Sequence, residues 1–137
     1  MSTTTTATRR SIGVSAVFDA VTVAVFVTIG RSNHHDGLSV SGIASTFWPF
    51  AVGAAVGWAI TYVLGTVRAG GVDKHHFRPA RVVPAGVIIW VSTVAVGMSL
   101  RVGSGQGTAV SFIIVASVFL GVFFLGWRTV RALLTKS

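Results

Sequence analysis

Ile12–Ile29 reads IGVSAVFDAVTVAVFVTI, a run of apolar and small residues broken by one charged group, Asp19. A hydrocarbon core of ~30 Å is crossed by about 20 helical residues rising ~1.5 Å each, with ~17 already sufficient, so this run is long enough to span a bilayer. Three more runs of the same kind follow, at about 42–67, 82–100 and 108–127. The expected fold class is therefore all-α: a polytopic membrane protein built as an up-down-up-down bundle of four transmembrane helices. Asp19 is the only charged residue within the four runs. A carboxylate near the bilayer centre costs roughly 2.5–3.5 kcal/mol on insertion scales, which makes it the first functional candidate.

Composition agrees with the membrane reading. Hydrophobic residues make up 52% of the 137 and charged residues 10%, against about 25% charged in ordinary soluble domains. A formal net charge of +8 in a soluble protein would suggest nucleic acid. Here the basic residues gather at span ends and in loops, with no basic helix face or aromatic-interleaved patch, so nucleic-acid binding is not expected. The absence of cysteine removes disulfides, thiolate metal sites and a cysteine nucleophile.

Residues 1–11 are expected as a disordered, Thr-rich cytoplasmic tail, 12–131 as one transmembrane domain, and 132–137 as a second short tail. Arg9 and Arg10 before an apolar run also describe a signal peptide. The run is longer than a signal core, carries Asp19 and ends in Gly30-Arg31 without a small-residue cleavage motif, so it is read as a retained span. The eleven Lys and Arg residues divide unequally between the two sides. Nine (Arg9, Arg10, Arg68, Lys74, Arg78, Arg81, Arg128, Arg131, Lys136) fall on the side of the termini, and two (Arg31, Arg101) on the other. Basic residues in short loops are retained in the cytoplasm, which places both termini there.

In the first span Ser11, Ser15, Asp19 and Thr22 recur at spacings of four, four and three, forming one polar face that must point into the bundle or at a partner. Asp19 with Ser15 and Thr22 is thus an ion-coupling or buried polar candidate. If ionised, its expected partner is Arg81 or Arg128, while the alternative is a protonated carboxyl raised by burial. On the opposite side Arg31, His34 and Arg101 are candidates for an anion or lipid headgroup, since guanidinium groups bind phosphate and carboxylate in bidentate fashion. Snorkelling at helix ends explains the same arginines without a ligand. His34, His35 and Asp36 are too few and too splayed for a metal site, and no metal or cofactor is expected.

Small residues mark the packing faces, because lipid supplies no hydrophobic drive and helices associate through close approach. Gly53, Gly57, Thr61 and Gly65 form a stripe in the second span, and Gly97 belongs to one in the third. The stripes pack the bundle within one chain, or build a homo-oligomer or larger membrane complex. Pro49 either opens span two after a Ser45 or Thr46 cap or kinks a longer helix that begins near Gly42. The segment Gly103-Ser104-Gly105-Gln106-Gly107 lacks a P-loop ending and reads as a tight turn before Thr108, the expected cap of span four. Trp127-Arg128 reads as a membrane-boundary pair. No catalytic constellation is present, so an enzyme is not expected.

Asp19, Gly30-Arg31 with His34, Trp48-Pro49-Phe50, Gly57-Trp58, Trp90 with Thr93, Gly97 and Arg101, Phe112 and Gly126-Trp127-Arg128 together resemble the bacterial family called domain of unknown function 3054, over about Ser11–Arg131. The resemblance implies a small multi-span membrane protein of bacteria or archaea and brings no known activity. Three readings follow for the function. The leading one is an accessory or assembly subunit of a larger membrane complex. The others are an oligomeric proton- or cation-coupled small-molecule transporter using Asp19, and an anionic-headgroup binder using Arg31, His34 and Arg101.

Overall fold

A computed structural model describes residues 2–33, 39–68 and 77–136. It contains α1 (Ser2–Asn33), α2 (Val40–Arg68), α3 (Val87–Gly103) and α4 (Val110–Lys136). A wide turn, Val82–Gly86, precedes α3, with Val83 extended and the Val83–Pro84 peptide cis. Among the described residues four segments are long and apolar enough to cross a membrane: Arg9–Ser32, Val40–Val67, Val82–Gly103 and Val110–Thr135.

Several boundaries differ from the sequence expectation. Helix α1 runs back to Ser2 through the Thr-rich segment expected as a tail; once a helix is nucleated, each added residue contributes a hydrogen bond for little further cost. Helix α2 begins at Val40, with the Ser39 hydroxyl accepting the Gly42 N–H at 3.1 Å as its cap,. Pro49 therefore lies inside the helix rather than opening it. Without an N–H it leaves the Ser45 carbonyl, four residues earlier, without its helical donor. The Gln106 amide donates to that carbonyl at 3.0 Å. Helix α4 starts at Val110, beyond Thr108, and runs on to Lys136, so Arg128 stands about 12 Å of helix before its end.

The residues paired between α2 and α3, α3 and α4, α1 and α4, and α1 and α2 run in opposite order, so these four pairs are antiparallel. Phe50, Gly53 and Gly57 of α2 lie against Gly97, Thr93 and Ile89 of α3. Trp90 of α3 reaches Ser117 of α4, and Gly86 just before α3 lies against Leu125 and Arg128. Ser11, Asp19 and Phe26 of α1 meet Arg131, Arg128 and Phe119 of α4. Phe26, Asp19 and Arg31 meet Phe50, Trp58 and Thr46 of α2.

The centre is filled by side chains from all four helices: Val23, Phe26 and Val27, Phe50, Ile89 and Met98, then Ala116, Leu120 and Phe124. Phe26 is its hub, with ring centroids 5.4 Å from Phe50, 5.4 Å from Phe119 and 5.9 Å from Phe112. Such offset and edge-on aromatic pairs contribute about 0.5–1.5 kcal/mol each beyond area burial. Val17, Val63, Val91 and Val118 are more than half exposed. On a soluble protein such apolar faces would need covering; on helices able to span a membrane they suit lipid or a partner helix.

Candidate functional site

Asp19 lies in the bundle at 3% exposure and Arg128 at 0%. They form a two-pronged ion pair, with Arg128 Nη1 donating to Oδ1 at 2.9 Å and Nη2 to Oδ2 at 2.7 Å. Each carboxylate oxygen receives a second donor: Trp127 Nε1 on Oδ1 at 3.1 Å and Trp58 Nε1 on Oδ2 at 3.0 Å. The guanidinium is equally engaged. Its Nε donates to the Pro79 carbonyl at 2.8 Å and its Nη1 also to the Phe124 carbonyl at 3.1 Å, while the Trp127 ring lies 4.3 Å from its central carbon. Among the described residues no buried side-chain nitrogen or oxygen lacks a hydrogen-bond partner.

Local sequence explains the assembly. Gly86 gives Arg128 its room, because a Cβ there would stand 2.9 Å from Arg128 Cδ and 3.2 Å from the Arg81 carbonyl. Phe77 packs edge-on against Trp58 and Tyr62 of α2, which holds the 77–81 segment so that the Pro79 carbonyl meets Arg128. The clamp thus ties α1, α2, α4 and the approach to α3 at one point. Removing one partner would leave the other buried and uncompensated, a loss of about 3–5 kcal/mol. Paired and saturated, the cost of burial is offset by charge-assisted, bidentate hydrogen bonds, stronger than neutral ones.

Ser15 and Thr22 share the face of Asp19 but bond within their own helix: Ser15 donates to the Ser11 carbonyl and Thr22 to the Phe18 carbonyl, each at 2.8 Å. Of the Trp127-Arg128 pair expected at the boundary, Arg128 is fully buried in the bundle and Trp127 partly so, and α4 continues beyond them through the apolar Val130, Ala132, Leu133 and Leu134. That continuation was the available signal for their burial. The Trp58 and Trp127 indoles and the Pro79 carbonyl were not legible as ligands of the pair, since each depends on how separate helices meet.

At the opposite end, Arg31 donates to the Thr46 hydroxyl at 3.1 Å and fills the space that a side chain at Gly42 would need. Arg101 donates to the Gln106 amide oxygen at 3.0 Å and the Gly107 carbonyl at 3.3 Å, and lies over the Phe112 ring at 4.5 Å. Both arginines are engaged by the protein. Their hydrogen bonds converge on the start of α2, where Gln106 carries the second arginine's turn to Ser45. Gly105 and Gly107 both take positive φ in that turn, 78° and 77°, which a glycine adopts without strain. His34, and the His35, Asp36, Asp73, His75 and His76 of the loops, lie outside the described residues.

The small-residue stripe packs inside the chain. A Cβ on Gly57 would stand 2.7 Å from Ile89 Cα, and one on Gly53 2.8 Å from the Thr93 carbonyl, so the α2 and α3 backbones touch. Thr61 is buried with its hydroxyl on the Gly57 carbonyl at 2.8 Å. Gly65 borders a cleft at the end of α2, and a Cβ on Gly97 would stand 2.8 Å from the Phe50 ring.

No curated protein and no solved structure matches this chain. The family described as "Protein of unknown function (DUF3054)" matches residues 16–131, which contain Asp19, Trp58, Pro79, Trp127 and Arg128 alike, and this multi-pass membrane protein belongs to it.

Proposed function

We propose that the protein is a non-enzymatic accessory or assembly subunit of a larger membrane complex, held in the bacterial cytoplasmic membrane with both termini in the cytoplasm. The observation that carries this reading is the saturation of Asp19. An ion-coupling carboxylate must release and rebind its ion, yet each oxygen here already receives two donors. Freeing it would strand Arg128 in the interior, a loss of about 3–5 kcal/mol when one partner of such a pair is removed. The clamp is built to hold helices together, which suits a protein that acts through its surface.

The Gly53–Gly65 stripe is largely spent on α3, so a partner helix has to dock elsewhere. The outer face of α1 offers a groove lined by Gly13, Val14, Val17, Phe18 and Val21, with Arg10 at one end. The nine-to-two division of basic residues supports the orientation.

The test is isolation of tagged full-length protein from its own membranes in mild detergent. A stoichiometric partner should accompany the native chain and be lost from V17W/V21W, whose tryptophans fill the groove without touching the clamp. A monodisperse monomer with no partner would overturn the reading. So would proton-driven uptake in liposomes that D19N abolishes.

A further inference from the structure

We infer that the cleft between the end of α2 and the approach to α3 is a binding site for a phosphate group, gripped by Arg78 and Arg81. The cleft has a volume of about 260 Å³ and is lined by Thr61, Leu64 and Gly65 on one side and by Arg78, Arg81, Pro84, Ala85 and Ile88 on the other. That is just under the ~300–1,000 Å³ of sites for drug-sized molecules, and suits a headgroup-sized ligand. It is separate from the Arg31 and Arg101 end of the bundle.

Charge identifies the ligand class. Both arginines are exposed. Asp19 is the only carboxylate side chain among the described residues, and its oxygens are filled by Arg128 and the two indoles. Neither arginine therefore has an acidic partner among those residues, in contrast to Arg128. They lie three apart on one turn, closed by the Arg81 N–H on the Arg78 carbonyl at 3.2 Å. Two planar guanidinium groups so placed match the oxygens of a phosphate by paired hydrogen bonds.

The backbone that carries the arginines is also held in place before any ligand arrives. Phe77 on one side is anchored against Trp58 and Tyr62. Pro79 and Ala80 between them are buried, and the Pro79 carbonyl is fixed by Arg128. Ordering paid in advance by the fold strengthens binding.

Depth and wall chemistry favour a phosphate that carries an acyl chain. Arg81 immediately precedes the apolar segment Val82–Gly103, and Gly65 stands in the last turn of Val40–Val67. The cleft is thus at the level of the headgroups, and Leu64, Pro84 and Ile88 continue it toward the apolar zone. Basic pockets between transmembrane helices are known to recognise anionic headgroups in this manner.

The test uses the full-length protein in nanodiscs and by native mass spectrometry, comparing phosphatidylglycerol with phosphatidylcholine, and adding inorganic phosphate in a separate arm. Phosphatidylglycerol should remain bound and raise the unfolding temperature of the native chain, with affinity falling roughly tenfold in R78Q/R81Q. R9Q/K136Q removes two charges from the same end of the bundle and should leave binding unchanged. Equal loss in the two double variants would mean only diffuse attraction to an anionic bilayer and would overturn the site, as would full binding by R78Q/R81Q. If inorganic phosphate alone gives the arginine-dependent shift, the source is a soluble phosphate; if only the lipid does, it is the membrane. R78Q and R81Q singly, each expected to lose part of the effect, carry the test should the double variant not fold.

Discussion

At the scale of single residues, the chain invests its one interior carboxylate in a closed constellation. The insertion cost of a charge is several kcal/mol, and an average interhelical hydrogen bond in a membrane returns only about 0.6. One neutral hydrogen bond is small beside that cost; what offsets it is a two-pronged, charge-assisted pair in which both partners are fully hydrogen-bonded,. D19N and R128Q should each lower the unfolding free energy by about 3–5 kcal/mol, because each strands the other partner. D19L/R128M, which removes both charges, should cost less than either single change. Unfolding in mixed SDS micelles measures this, and single variants as stable as the native chain would show that the pair contributes nothing.

Between elements, contact is decided by where a Cβ is missing. Gly57 lies on the Ile89 backbone, whereas a Cβ on Gly126 of α4 would meet nothing within 4 Å. G57A should push α2 off α3 and cost about 1–3 kcal/mol. G126A should be neutral or stabilising by up to about 1 kcal/mol through helix propensity. Comparison of the two by the same unfolding assay tests the packing, since equal effects would mean that α2 and α3 do not touch through glycine. The stripe at 53, 57, 61 and 65 was legible as a packing face from its four-residue spacing. Its partner was not, because spacing marks a face and says nothing of what covers it.

For the whole molecule, the uneven division of Lys and Arg predicts one orientation, with both termini in the cytoplasm. The chain contains no cysteine, so a single one reports its own side. S104C, in the turn after α3, should react with an impermeant maleimide from outside intact cells, and T135C, at the end of α4, only after the membrane is opened. The reverse pattern would invert the protein and place the Arg78–Arg81 cleft on the outer surface.

The number of spans, their approximate limits and the singularity of Asp19 were determined by sequence alone, because hydropathy acts locally and a bilayer has a fixed thickness. The last turns of α4 escaped that reading, since Arg128 and Arg131 interrupt the run and look like its end. Which arginine meets Asp19, that two indoles complete its shell, and that Gln106 supplies the donor Pro49 cannot give, were decided only by tertiary structure. Each joins residues between 39 and 109 positions apart, and such pairings follow from helix register and close backbone approach, which no local pattern encodes.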